Sequence, residues 1–180
     1  MKTVKMPLII NTRRLVLRKP RLSDAPMIFK TYACDPKVTK YVTFKPHKSL
    51  KETKSFVKRT IAEYKLKRFT FAVESRETGE LMGNFAFRID RFKAEIGYVL
   101  AAKYWGKGYA TEAARAVICQ LFKNSGIFRV WAVCDTGNKA SARVLIKAGM
   151  RLEGKLKRWM IHPNRSKSPR DCFCYAITRN

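Results

Sequence analysis

The sequence predicts an α/β (α+β) fold, a mixed sheet flanked by helices, and three patterns predict it. Strand-like and helix-like stretches alternate between residues 93 and 150. Hairpin-linked strands precede that region, and a strand pair follows it. The chain has 180 residues, 46% of them hydrophobic, which suits a substantial core. No repeat or linker divides it, so residues 1–180 are expected to form one domain.

In chain order, residues 8–18 read as a strand, with Leu15 and Leu17 on one face and Val16 on the other. Ser23 and Asp24 offer caps for a short helix that carries Pro26 in its first turn. Asp35–Pro36 breaks the chain, and Val38 to Pro46 reads as loop. Ser49 starts a longer helix, with Glu52 at the capping-box position and Leu50, Val57, Ile61 and Tyr64 as its apolar stripe. Lys51, Lys54, Lys58 and Lys65 form a basic stripe beside it. Phe69 to Glu74 and Glu80 to Phe87 are strands joined by a turn at Thr78–Gly79. A further strand, Lys93 to Leu100, leads into a loop holding Gly106 and Gly108. The helix after it buries Ala110, Ala113, Ala114, Val117, Ile118, Leu121 and Phe122. Val130 to Cys134 is a strand, and Asn138 starts a helix whose face is Ser141, Val144, Leu145 and Ala148. Arg151 to Ile161 and Asp171 to Thr178 are the last strands, joined by a basic loop.

Strand, glycine loop and helix together suit an anion. The first turn of a helix has unpaired N–H groups and partial positive charge, and glycine removes the Cβ atoms that would hold an anion away. The amides of Gly106, Lys107, Gly108, Tyr109 and Ala110 could close around a pyrophosphate. A tight strand-to-helix turn is the other reading. Neither a P-loop nor a dinucleotide fingerprint is present, since Thr111 stands where a third glycine would fall.

The run EIGYVLAAKYWGKGYATEA resembles the acetyl-CoA loop of the GNAT N-acetyltransferases, with Lys103, Gly106 and Gly108 at the fixed positions of R/Q-x-x-G-x-G/A. Lys103 departs from the usual Arg or Gln. Thr12, Arg14, Leu15, Leu17, Arg18, Asp24 and Ala25 resemble the opening of the branch that acetylates the N-termini of ribosomal proteins. The likeness runs from Thr12 to the last strand. It implies a mostly antiparallel sheet of about seven strands, the fourth and fifth splayed, with about four helices. The splayed strands would be Lys93–Leu100 and Val130–Cys134.

The same resemblance implies acetyl-CoA as cosubstrate, no metal, and direct transfer to an amine. Its phosphates would lie on the glycine loop, with backbone amides near Val99 and Leu100 facing its arm and thioester. Fixed N–H donors of this kind contribute about 3 kcal/mol in other acyl transfers. Asn138 and Ser141 match N-x-x-S. The resemblance makes Asn138 a cofactor contact and Ser141 a contact to the departing thiol, while a helix cap explains both equally well. Many relatives place a tyrosine acid seven residues after this Asn, but here the position is Leu145, so Ser141 or solvent must serve. Glu95 is the candidate base through an ordered water, against an ion-paired surface role, and Asp171 is a weaker alternative.

Lys and Arg number 39 against 13 acids, a formal +26, and residues 1–70 alone carry 19 basic and 4 acidic side chains. This field favours an acidic or ribosomal partner, or else simply keeps the surface solvated. The α-amine of a protein such as a ribosomal protein leads as acceptor, followed by a small amine. A basic RNA- or ribosome-binding protein without turnover is the reading from another class, supported by charge alone. In the resemblance, the region of the Ser49 helix commonly walls the acceptor channel, so its lysines would give a basic wall. No apolar run approaches the ~18 residues of a membrane span. No signal peptide is evident, so a cytoplasmic monomer or homodimer is expected. The five cysteines form no CxxC, which argues against zinc.

Overall fold

The computed structural model describes residues 7–179. Its centre is one eight-stranded sheet in the order β1-β2-β3-β4-β5-β6-β8-β7. The strands are β1 (Ile9–Asn11), β2 (Leu15–Arg18), β3 (Arg68–Ser75), β4 (Leu81–Asp90), β5 (Lys93–Leu100), β6 (Arg129–Asp135), β7 (Arg151–Met160) and β8 (Arg170–Thr178). All neighbours pair antiparallel except β5 and β6. That parallel pair needs a crossover, and α4 (Tyr109–Phe122) supplies it. The other helices are α1 (Ala25–Ile28), α2 (Pro36–Thr39), α3 (Leu50–Ala62) and α5 (Lys139–Lys147).

The extra strand relative to the expected seven comes from a bend. Thr12 Oγ1 accepts the Leu15 N–H at 2.9 Å and breaks residues 8–18 into the hairpin β1–β2. The loop expected from Val38 begins as one helical turn, because the Asp35 carboxylate accepts the Lys37 N–H at 2.8 Å. In α3, Ser49 caps the Glu52 N–H at 3.3 Å, and Glu52 reaches back to the Lys48 N–H at 2.9 Å.

Helices cover both faces of the sheet. Ala113, Ala114, Val117, Ile118 and Leu121 of α4 and Leu145 of α5 pack against one face, with Phe85, Phe87, Ala94, Ile96 and Leu100. Ile28 and Val57 of the α1–α3 layer pack on the other, with Ala72 and Val99. The alternation along β5 follows: Ala94, Ile96, Tyr98 and Leu100 face α4 and α5, whereas Glu95, Gly97 and Val99 face α3. Arg18 and Asp24, both buried, tie β2 to the start of α1 through two hydrogen bonds of 2.9 and 2.8 Å.

Candidate active site

The parallel pairing of β5 with β6 covers only Lys93–Glu95 against Arg129–Trp131. Past that point β5 pairs only with β4, and β6 only with β8. The strands therefore part, and a cleft of about 490 Å³ opens through the sheet. Glu95, Tyr98, Val99, Cys134, Asn138 and Ser141 are among the residues lining it.

Backbone alternation decides which β5 amides face the gap. The Ala101 N–H bonds to Met82 O at 2.9 Å, and the Phe128 N–H bonds to Phe92 O at 2.8 Å. Odd-numbered β5 residues therefore turn their backbone to β4, and even-numbered ones turn it to the β6 side. The Tyr98 and Leu100 amides lie toward the gap. Val99 turns its amide to β4 and contributes its side chain to the lining.

Glu95 lies on the α3 face of the cleft, near the end where the strands are still joined. Its Oε2 accepts from Arg88 directly across on β4, at 2.7 Å. The expected base is thus both cleft-lining and ion-paired. Phe56, Arg59, Thr60 and Glu63 of α3 and the turn after it form the adjoining wall. The expected lysine wall is corrected here: Lys51, Lys54 and Lys58 are exposed and take no part in the lining, because Thr53, Val57 and Thr60 are the buried line of α3. Asp171 is paired with Lys155 at 2.8 Å and accepts the Arg158 N–H at 3.0 Å, outside the cleft lining.

On the opposite face, the Tyr98 hydroxyl and Ser141 Oγ share a hydrogen bond of 2.9 Å. Burial pushes the Tyr98 phenol well above its ordinary value, so it stays protonated at neutral pH. Sequence reading missed Tyr98, since its partner lies in another element. Asn138 caps α5 by accepting the Ser141 N–H at 3.2 Å while it lines the cleft. Leu145, seven residues after Asn138, lines the cleft and offers no proton. Burial raises the Cys134 thiol to about 11, so it is neutral at pH 7.

The end of the cleft beyond Cys134 is closed by loops. Asn164 donates to Thr39 O at 2.7 Å and Phe44 O at 2.8 Å, fastening the β7–β8 loop to the end of α2 and the segment after it. His162 from that loop is buried, with Nε2 3.9 Å from Asp135 Oδ2 and 3.8 Å from Cys172 Sγ. Its Nδ1 has no hydrogen-bond partner among the described residues. Burial pushes the Asp135 carboxyl up, but bonds from Arg170 and the Gly137 N–H outweigh it and hold the group below the ordinary range.

The glycine loop joins the end of β5 to α4 and forms none of the cleft lining. Gly106 and Gly108 have φ of 77° and 82°, a left-handed backbone that disfavours any side chain. Among the described residues nothing accepts the N–H groups of Gly106, Lys107 and Gly108, and the first helical bond of α4 is Glu112 N–H to Gly108 O at 3.0 Å. The N–H groups of Tyr109 and Ala110 thus also lack intrahelical acceptors. This nest of donors fits a phosphate. Lys103, three residues before Gly106, pairs with Glu80.

A sheet whose one parallel pair parts, with a carboxylate on one face, two hydroxyls on the other and a nest of free N–H groups at the start of α4, has the layout of an enzyme cleft for a phosphate-bearing ligand in an α/β fold. Comparison with known proteins agrees. Residues 14–151 match the acetyltransferase (GNAT) domain, and the chain belongs to that family. It is 33% identical over 175 residues to N-acetyltransferase YoaA of Bacillus subtilis (strain 168), itself uncharacterized, covering 95% of this chain and 97% of that protein. A GNAT-family acetyltransferase from Bacillus anthracis superposes with a TM-score of 0.82 at 32% identity, over 94% of this chain and 98% of that one. RimL, a ribosomal L7/L12 alpha-N-protein acetyltransferase solved with coenzyme A, shares the fold with a TM-score of 0.83 at 22% identity, over 94% and 97% of the two chains. Among the described residues no helix is long and apolar enough to cross a membrane.

Proposed function

We propose that this N-acetyltransferase uses acetyl-CoA and acts on the N-terminal α-amine of a protein, with ribosomal proteins as the leading class of acceptor. The observation that carries the reading is the cleft through the sheet, with Glu95 on one face and the Tyr98–Ser141 pair on the other. Two substrates can thereby meet from opposite sides. RimL, named for acetylating ribosomal L7/L12, supports the acceptor class through its shared fold.

Acetyl-CoA supplies an acyl thioester when bound. The N–H groups of Gly106, Lys107, Gly108, Tyr109 and Ala110 would hold its diphosphate, with Asn138 beside its arm. The Tyr98 and Leu100 amides would orient the thioester and offset charge at its oxygen. Glu95, through water, takes the proton from the incoming ammonium; the neutral nitrogen then bonds to the acyl carbon as the carbon–sulfur bond breaks, and the second proton it sheds leaves through the same water to solvent. Tyr98 sits three residues further along β5, about 10 Å away, so base and acid act at different ends of the transfer. Ser141 and Tyr98 deliver a proton to the departing sulfur. The neutral Cys134 thiol is a poor nucleophile, which favours direct transfer over an acyl-cysteine route.

An α-amine suits this apparatus. At pH 7 about 14% of an amine with pKa near 7.8 is already neutral, against about 0.04% of a lysine. An enzyme of this kind works in the cytoplasm, as a monomer or homodimer, and its basic surface suits an acidic or ribosomal partner. The test is acetylation of peptides carrying one free α-amine and one lysine, read by fragment mass spectrometry. Label on the first residue supports the reading. Label confined to the lysine would overturn it.

A further inference from the structure

Two sequence motifs almost a hundred residues apart meet on one carboxylate. Glu112 sits in the first turn of α4, immediately after the glycine loop. It accepts Thr12 Oγ1 at 2.7 Å, the Arg14 backbone N–H at 2.8 Å and Arg14 Nε at 2.7 Å. Thr12 and Arg14 come from the bend between β1 and β2. The Arg14 side chain then continues along the loop. One terminal nitrogen donates to Lys107 O at 3.0 Å. The guanidinium lies 4.4 Å from the centre of the Tyr109 ring. Its other terminal nitrogen would stand 3.4 Å from a Cβ built on Gly108. One side chain therefore borders the loop at residues 107, 108, 109 and 112.

The charges explain why such a brace is needed. Burial raises the Glu112 carboxyl, but bonds from Thr12 and Arg14 outweigh it and keep it ionised at neutral pH. A bare carboxylate in the first turn would repel any diphosphate at that helix end. Arg14 pairs with it at 2.7 Å, cancels the charge and reaches the loop with its remaining donors.

We propose that Arg14, acting through Glu112 and the Lys107 carbonyl, is a positioning residue that holds the glycine loop open to the cosubstrate's diphosphate and screens that diphosphate from Glu112. The inference rests on the reading of the loop as the diphosphate site. It assigns a task to the N-terminal T-x-R-L motif, which that reading leaves without one. Lysine cannot replace the bridge, because a point charge lacks the planar fork that serves Glu112 and Lys107 together.

The test compares binding of acetyl-CoA with binding of S-acetylpantetheine, which keeps the thioester and arm but lacks the diphosphate. Calorimetric titration of acetyl-CoA and chemical-shift titration of S-acetylpantetheine need no acceptor. Arg14→Gln should weaken acetyl-CoA by about tenfold, the effect of one lost charge-assisted contact, and leave S-acetylpantetheine within about twofold. Arg14→Lys should recover little. Adding Glu112→Gln to Arg14→Gln should restore part of the loss, since the repelling charge is gone. Equal weakening of both ligands, full rescue by lysine, or no change in acetyl-CoA binding would each overturn the proposal. Wild-type protein that binds the two ligands equally would overturn the loop reading itself, and the brace with it.

Discussion

Replacing Glu95 by Gln tests the proton route, and the structure sets the size of the effect. The Arg88–Glu95 pair has side-chain exposures of 51% and 25%, so solvent takes over the guanidinium once the carboxylate is lost. Such pairs contribute about 0–1 kcal/mol to stability, and for a chain of this length the melting temperature should fall by less than about 4 °C. Activity should respond far more. Without a base the enzyme must capture the neutral fraction of its acceptor, about 14% of an α-amine at pH 7, which alone costs about sevenfold. Loss of the proton acceptor in the transition state brings the deficit in kcat/KM to about a hundredfold. At pH 9 more than about 90% of the α-amine is neutral, so the deficit should shrink to about tenfold. The assay is the initial rate of thiol release with an α-amine peptide at pH 7, 8 and 9, wild type against variant. A lysine acceptor, only about 4% neutral at pH 9, would keep nearly the whole deficit. A Glu95→Gln variant whose α-amine deficit stays constant with pH, or is absent, would remove Glu95 from the proton route.

The remaining predictions concern the other face, the channel and the fold. Tyr98→Phe keeps the stacking on Phe85, whose ring centre is 5.7 Å away, but deletes the hydroxyl bonded to Ser141; kcat should fall at least about tenfold with acceptor KM little changed, by steady-state kinetics. Gly97 lines the cleft on the α3 face, and a Cβ there would meet nothing within 4 Å. Gly97→Val should therefore fold normally by circular dichroism yet raise acceptor KM several-fold, while acetyl-CoA affinity holds. Asp24, Asp135 and Glu112 are raised by burial but lowered further by their partners, so their folded-state values lie below the unfolded ones. The stability they contribute is complete above the ordinary carboxylate range and is lost as pH falls through the depressed values. Chemical denaturation should show a plateau near neutrality and a steepening loss below about pH 4.

Local patterns carried most of the fold. Helix α4 was legible because its buried face repeats at helical spacing, and all five of its fully buried positions lay on that face. The loop before it was legible because a left-handed backbone at Gly106 and Gly108 selects glycine. The hairpin β1–β2 was read as one strand, although the signal was present: Thr12 is a residue that bends the chain by bonding its own backbone two or three positions on. The face of α3 was legible from Leu50, Val57 and Ile61, which pack inward, but its most buried line also includes Thr53 and Thr60, which a hydrophobic pattern does not count. Of the candidate site, the fork between β5 and β6 followed from the family likeness. The pairs that complete it are long-range. Tyr98 reaches Ser141 across 43 positions, and Arg14 reaches Glu112 across 98. Such contacts depend on strand order and register, which no local spacing encodes.

Acetyl transfer to a defined class of amine is the centre of this account. The most direct measurement is intact-mass spectrometry after incubating the protein with acetyl-CoA and two separate acceptor pools, one of ribosomal proteins and their N-terminal peptides, the other of small amines. The account predicts a single added acetyl group on an α-amine in the first pool. Labelling in the small-amine pool alone, or in neither pool, would contradict it.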